Sequence, residues 1–157
     1  MIWVPSSCKV RRFPREKNDC TVVAVAIACN IPYETIHGWF ALKGRQPRHG
    51  LNFEVAISGE LERGEMWGAK ITQQRFPYYE WERQLVAKKK VLNSWGNHAW
   101  RYTFTPRMTV KRFLAANPTG RFIVKINKHV FTIIDGVCYD YKNPQWCEIE
   151  YVIKVVK

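Results

Sequence analysis

Three residues of this sequence have types and positions suited to acyl-transfer chemistry: Cys20, His129 and Asp140. Cys20 begins an apolar run that continues to Cys29. A thiol at a helix N-terminus faces the positive end of the helix dipole and unpaired backbone N–H groups, which lower its pKa and can bind a developing oxyanion. Cys20 is therefore expected to have a depressed pKa and to be the most reactive of the five cysteines.

A nucleophilic thiol needs a base, and His129 is the residue predicted to serve it. His129 lies in a stretch of β-formers that ends at Asp135-Gly136, and an Asp-Gly pair between apolar runs predicts a two-residue hairpin turn. In that hairpin Ile134 pairs with Val137, and counting back places Asp140 diagonal to His129 on the same face. Asp140 is therefore predicted to orient the imidazole.

The same register predicts what each face of this strand contacts. The face that carries His129 is expected to look toward Cys20. Its other members, which should pack against the helix of Cys20, are Phe131 and Ile133. The opposite face, expected to meet other parts of the core or solvent, carries Val130, Thr132 and Ile134.

The elements that must hold these residues come in the order of helices first and strands later. The run from Cys20 to Cys29 is apolar on every side, which predicts a buried central helix with Asn18 or Asp19 as its N-cap. Further helices are predicted over 33–43, 52–62, 79–88 and 109–116. Strands are predicted near 69–72 and 101–104, and then over 121–126, 128–134, 137–141 and 148–156.

This order predicts a single α+β domain over residues 1–157, in which N-terminal helices pack on a C-terminal antiparallel β-sheet. The helical half covers about 18–68 and the sheet half about 109–157. Between them lies an aromatic and basic segment over about 69–108.

The chain is strongly basic, with a net charge of +12. Such a charge attracts polyanions, either nucleic acid or an acidic protein, although a solvated surface without a partner has the same composition. The candidate residues are expected to lie on one face, beside the groove between the helices and the sheet. They are Lys88, Lys89, Lys90, Arg101, Arg107, Lys111 and Arg112.

Several classes of protein are excluded by other features of the sequence. No apolar run approaches the roughly 20 residues of a membrane-spanning helix, and the N-terminus lacks the charge-then-apolar order of a secretory signal. A cytoplasmic protein without membrane contact is therefore expected. The five cysteines are scattered and form no CxxC pair, so no disulfide scaffold, structural zinc or cofactor is predicted.

Short motifs at both ends of the chain form one pattern. The N-terminal motifs are Asn18-Asp19-Cys20 before an alanine-rich helix, Pro32-Tyr33-Glu34 and Gly44-Arg45. The C-terminal motifs are Gly120-Arg121-Phe122-Ile123-Val124, Lys128-His129-Val130 and the segment 135–140. Together they resemble the papain-like cysteine peptidase superfamily, and within it small phage and bacterial papain-like proteins.

The resemblance implies a papain-like fold and a Cys20–His129–Asp140 triad that hydrolyses an amide or isopeptide bond in a protein or peptide. Many papain-like enzymes carry a glutamine six residues before the cysteine, and it completes the oxyanion hole. Pro14 stands at that position here, so Asn18 is the substitute donor, with helix capping as its alternative role. A phage protein of this kind would act in the host cytoplasm.

Two alternatives remain open at this point. His98 is the alternative base, since it is another histidine in an aromatic setting. The alternative function is a basic binding module that keeps a papain-like core, has weak or no activity, and grips nucleic acid or an acidic host protein. A reactive Cys20 thiol at mildly acidic pH would favour the hydrolase, and ordinary thiol reactivity would favour the binding module.

Overall fold

The computed structural model describes residues 2–4, 13 and 16–157, and it confirms the expected α+β class. The α-helices are α1 (Cys20–Cys29), α2 (Tyr33–Leu42), α3 (Phe53–Ala56), α4 (Ser58–Arg63) and α5 (Val110–Ala116). The helix predicted over 52–62 is interrupted at Ile57, where ψ is 20°. None of the described helices is both long and apolar enough to cross a membrane.

The strands are β1 (Ile2–Val4), β2 (Glu65–Met66), β3 (Ala69–Arg75), β4 (Leu85–Leu92), β5 (His98–Phe104), β6 (Arg121–Ile126), β7 (His129–Ile134), β8 (Val137–Tyr139) and β9 (Tyr151–Val156). Seven of them form one sheet in the order β1-β8-β7-β6-β9-β3-β2. Its pairings are antiparallel except that of β1 with β8, which is parallel. β4 and β5 form a separate two-stranded sheet.

α1 is the central helix, and every side chain from Thr21 to Cys29 is buried. The Thr132 hydroxyl on β7 donates to the Ala24 carbonyl at 2.7 Å. The Arg121 guanidinium on β6 donates to the Ala28 carbonyl at 2.8 Å, at the negative end of the helix dipole. These two bonds fix α1 against the sheet, so the start of the helix has a defined position beside β7.

The two faces of β7 contact different layers of the molecule, and the faces predicted from sequence are wrong. Thr132 and Val130 lie on the face that packs against α1. Phe131 and Ile133 lie on the other face, in a second apolar cluster that includes α5. Because helices cover both faces of the sheet, both faces of β7 are apolar, and alternation cannot indicate which of them meets α1.

The turn at Asp135-Gly136 has its predicted form. Ile134 pairs with Val137, and the two turn residues have φ values of 49° and 80°, as a type I′ turn requires. β8 ends one residue before Asp140, which takes a left-handed φ of 71°. The pairing of β7 with β8 was predicted to place Asp140 diagonal to His129. In the structure this pairing ends one residue before Asp140.

β4 and β5 form a hairpin, residues 85–104, that we call the arm. A short 3₁₀ turn over Glu80–Glu82 and strand β4 replace the predicted helix over 79–88. Side chains on both faces of the arm are mostly exposed. At its base the Thr105 amide donates to the Gln84 carbonyl at 2.8 Å, and Arg83 Nε donates to the Thr105 carbonyl at 2.8 Å.

Candidate active site

A polar cavity of about 640 Å³ lies at the N-terminus of α1, beside the start of β7 and the end of β8. Cys20, His129, Asp140 and Asn18 all line it. Other lining residues include Asp19, Glu54, Tyr79, Lys125, Lys128 and Glu150. The structure therefore brings together the residues predicted as nucleophile, base, orienting carboxylate and oxyanion donor.

The backbone amide of Val130 joins the thiol to the strand that carries the base. This amide is close enough to the Cys20 thiol to act to lower its pKa. Val130 directly follows His129 in the sequence, so the thiol lies beside the residue next to the candidate base. The Asp140 carboxylate is also close enough for its charge to act on the thiol.

Cys20 does not have the depressed pKa predicted from its position at the helix start. Burial raises the pKa of the thiol above the ordinary cysteine value, and the charges of Asp140 and Asp19 raise it further. The amides of Val130 and Thr21 lower it, but less strongly. The helix start and a histidine partner favour a thiolate, but the folded chain also removes water that would solvate it.

The other described cysteines lack the setting of Cys20. Cys29 and Cys138 are buried, and burial raises the pKa of Cys29 to about 11 and that of Cys138 to about 12. Cys147 is half-buried, and its thiol lies 3.9 Å from the Tyr141 hydroxyl. Cys20 is the described cysteine that lines the cavity of the candidate triad. Cys8 lies outside the described residues.

Tyr141 does not line this cavity, but it contacts the ring of His129, which sequence reasoning missed. Its ring centroid lies 4.9 Å from that of the His129 imidazole and 5.4 Å from that of Phe131. Packing on this side limits the rotation of the imidazole, so Tyr141 is a positioning residue for His129. The sequence does show an aromatic residue directly after Asp140. Its contact with His129 can be inferred only once β8 is known to end before Asp140.

Asn18 lines the cavity, but its amide is already engaged. Asn18 Nδ2 donates to the Arg48 carbonyl at 3.2 Å, and the residue has a left-handed φ of 53°. Neither Asn18 nor Asp19 caps α1 with its side chain, because the N-cap residue is Asp19 and makes no side-chain cap bond. One hydrogen of Asn18 Nδ2 is left for an oxyanion. Pro14, at the position of the papain-like glutamine, lies outside the described residues.

Contacts of two acidic residues, Asp19 and Glu16, hold the segment that leads into Cys20. The Tyr33 hydroxyl on α2 donates to Asp19 Oδ2 at 2.7 Å. Glu16 lies 3.2 Å from Arg45 and 2.7 Å from the imidazole of His37, and it also accepts a bond from the Arg48 amide at 2.7 Å. The residues before the nucleophile are thereby tied to α2 and to the loop that follows it.

We expect Glu16 to make the stability of the protein fall steeply in acid. Burial raises its pKa, but the bonds from Arg45, His37 and two backbone amides outweigh that effect and lower the pKa from 4.5 to about 2. A carboxyl with a depressed folded pKa stabilises the fold above pH 4.5, and this contribution is lost as the pH falls toward 2. The size of the loss is roughly 3 kcal/mol.

Urea unfolding at a series of pH values tests this expectation. The Glu16→Gln variant should be less stable at neutral pH and should show a flatter pH dependence between about 4.5 and 2. The matched control is Glu62→Gln, which removes an exposed carboxylate of α4. Equal acid sensitivity in the wild type and Glu16→Gln would show that the Glu16 contacts do not stabilise the fold.

The seven basic candidates are not gathered beside this cavity. Lys88, Lys89, Lys90 and Arg101 lie on the arm. Arg107 pairs with Glu148 at 3.4 Å. Lys111 and Arg112 lie on α5, which packs on the face of the sheet away from α1, and Lys111 covers the ring of Trp146 at 4.8 Å. Arg112 on α5 donates to the Arg107 carbonyl at 3.5 Å, so these two residues are neighbours. None of the seven lines the cavity of Cys20, so the expectation that they lie beside it is not met.

His98, the alternative base, lies on β5 of the arm and does not line the cavity of Cys20. Among the described residues, no three His, Cys, Asp or Glu side chains are grouped to hold a metal ion. Comparisons of the chain with protein-family models, curated proteins and solved structures find no match. The chemistry of the site is therefore inferred from its own residues.

Proposed function

We propose that this protein is a papain-like cysteine hydrolase that cleaves an amide or isopeptide bond in a protein or peptide. Cys20 is the nucleophile, His129 the general base and acid, and Asp140 the carboxylate that steadies the imidazolium. The observation that carries the proposal is the common cavity that these residues line at the N-terminus of α1. That arrangement supplies the three roles that nucleophilic catalysis needs.

The raised pKa of Cys20 favours proton transfer during attack over a thiolate that is already formed at rest. In the first step His129 takes the thiol proton as Cys20 Sγ bonds to the carbonyl carbon. The oxygen becomes an oxyanion, and its donors are the Cys20 backbone N–H and the second hydrogen of Asn18 Nδ2. Collapse breaks the C–N bond, and the leaving amine takes the proton from His129.

The thioester left on Cys20 is then hydrolysed. His129 removes a proton from a water molecule, whose oxygen attacks the thioester carbonyl. The C–S bond breaks, a carboxylic acid leaves, and the sulfur takes the proton back from His129. Asp140 stabilises the positive imidazolium in both steps, because opposite charges at short range favour the charged form.

The pH dependence of alkylation tests the resting state of the thiol. With a raised pKa, the rate of iodoacetamide modification at Cys20 should climb about tenfold per pH unit below that pKa, without a plateau near pH 6. Peptide mapping by mass spectrometry follows Cys20 separately from the other thiols. A plateau in mildly acidic solution that disappears in His129→Ala would instead establish a thiolate–imidazolium pair and overturn the general-base mechanism.

Turnover of an activated ester tests the hydrolase itself. Addition of p-nitrophenyl acetate should give a burst of p-nitrophenolate and an acetyl group on Cys20, followed by steady hydrolysis. The matched control is Cys147→Ala, which removes a half-buried thiol outside the cavity and should leave the burst unchanged. Acetylation of Cys20 without turnover, or no acetylation, would contradict the proposed function.

The second candidate function is a binding module that keeps this core with little or no catalysis. Two observations favour it: the raised pKa of the Cys20 thiol and the bond that already occupies Asn18 Nδ2. The raised pKa leaves less thiolate, and the occupied amide leaves one fewer hydrogen for an oxyanion, so both observations favour weak catalysis. A stable wild-type protein that neither forms nor releases an acyl group in the ester experiment would support this candidate.

A further inference from the structure

The arm is a hairpin without a core of its own. Side chains on both faces of β4 and β5 are mostly exposed, and the arm carries several large apolar groups in water. Trp95 at its tip is 86% exposed, and Trp100 on β5 is 52% exposed. An isolated two-stranded hairpin is marginally stable in water, and exposed aromatic groups in one place mark a contact surface.

The register of the hairpin sorts its side chains onto two faces. Lys88 pairs with Tyr102, Lys90 with Trp100, and Leu92 with His98, so these six residues share one face, which we call the aromatic face. The other face carries Lys89 and Arg101 between small or aliphatic side chains. Both faces are therefore basic, and one of them also presents a row of rings.

The rings of the aromatic face are evenly spaced along β5. They occupy every second position of the strand, at His98, Trp100 and Tyr102. This spacing places neighbouring rings about 7 Å apart along the strand. Lys88 Nζ lies 4.2 Å from the Trp100 ring centroid and 5.7 Å from that of Tyr102. Cations and ring faces thus alternate on a surface open to solvent.

The charge of the arm is not balanced by nearby acidic groups. From Arg83 to Ile134 the sequence contains no Asp or Glu. Among the described residues, none of the arm's lysines, nor Arg101, has a carboxylate within ion-pair distance, whereas Arg107 and Lys125 on the body pair with glutamates at 3.4 Å. The cations of the arm therefore remain available to an anionic partner.

We propose that the arm binds single-stranded nucleic acid. Bases that are not stacked in a duplex pack on His98, Trp100 and Tyr102, while Lys88, Lys90 and the basic opposite face contact the phosphates. A duplex hides the faces of its bases, and an acidic protein does not present a planar group beside each negative charge, as a single strand does. This binding does not rest on the proposed hydrolase activity and should persist in Cys20→Ala.

Fluorescence anisotropy with the full chain and a labelled oligothymidylate tests the proposal. The probe should be about 20 nucleotides long, which exceeds the roughly 4–16 nucleotides that one binding fold covers. Trp100→Ala should weaken binding by roughly 5- to 150-fold without changing its salt dependence, because stacking releases no counterions. Lys88→Ala/Lys90→Ala should weaken binding and reduce the slope against salt by about 1.4.

The matched control is Lys70→Ala/Lys154→Ala, which removes the same charge from exposed positions on β3 and β9. It should keep most of the affinity, and thermal melting of all variants should show that the body stays folded. Equal or tighter binding of a duplex of the same sequence would overturn the single-strand assignment. Full competition by polyglutamate, or an unchanged affinity in Trp100→Ala, would show that the arm recognises negative charge alone.

Discussion

Replacement of His129 by alanine should leave the fold intact and reduce ester and peptide hydrolysis by roughly 10⁴-fold or more, to the level of Cys20→Ala. The reason lies in the raised pKa of the Cys20 thiol. A thiol that is protonated at rest needs a base during attack, so removal of the base should cost about as much as removal of the nucleophile. Steady-state kinetics with p-nitrophenyl acetate and a peptide panel measures both variants.

Two features make the comparison of these variants informative. The His129 side chain is half-buried at the start of β7, so its truncation should leave most of the core unchanged. The double variant Cys20→Ala/His129→Ala should be no slower than either single variant, because residues that act as a unit are not additive. Substantial hydrolysis in His129→Ala would assign the base to another residue and contradict the triad.

Replacement of Asp140 by asparagine should lower hydrolysis by roughly 10²- to 10⁴-fold with little loss of stability. Asparagine keeps the shape of the side chain but removes the charge that stabilises the imidazolium formed in both steps. The same charge raises the pKa of the Cys20 thiol. Asp140→Asn should therefore make Cys20 easier to alkylate at a given pH while it slows turnover.

These opposite effects separate an electrostatic role of Asp140 from a structural one, because a general distortion of the site would not increase thiol reactivity while it lowers turnover. The matched control is Asp135→Asn at the hairpin turn. Asp135 Oδ1 accepts a bond from the Gly120 amide at 2.8 Å, and asparagine offers the same oxygen and tolerates the same φ of 49°. If Asp135→Asn impairs hydrolysis and Asp140→Asn does not, the assignment of the carboxylate is wrong.

The arm adds a second surface to a molecule that has a polar cavity at the N-terminus of α1. Tyr79 lines the cavity and precedes the 3₁₀ turn that leads into β4, so the base of the arm lies near the candidate active site. Arg107, just after the arm, donates to the Tyr78 carbonyl at 2.7 Å and closes the same base.

The features that the sequence determined are those set by neighbours along the chain. An apolar run from Cys20 to Cys29 indicates a buried helix because no side of it can face water. Asp135-Gly136 indicates a type I′ turn because only a few residue types accept two successive positive φ values. Thr109 caps α5 through its own hydroxyl, which accepts from the Arg112 amide at 3.2 Å.

The arm and the N-terminal strand depend on contacts between distant residues. The segment that contains β4 has no clear apolar and polar alternation, and a helix was predicted over 79–88. Pairing with β5 decides the structure instead, because the ladder hydrogen bonds join residues that lie 6 to 19 positions apart in sequence. β1 similarly gains its structure from β8, more than a hundred residues away.

At the candidate site, the sequence determined which residue types were available, and the tertiary structure decided their environment. The position of Cys20 at a helix start follows from the sequence, but burial and the nearby charge of Asp140 set the direction of its pKa. The face of β7 that meets α1 also required the structure, because helices cover both sides of the sheet. Hydration and long-range charge depend on the three-dimensional packing of the chain, and no local pattern of residues encodes them.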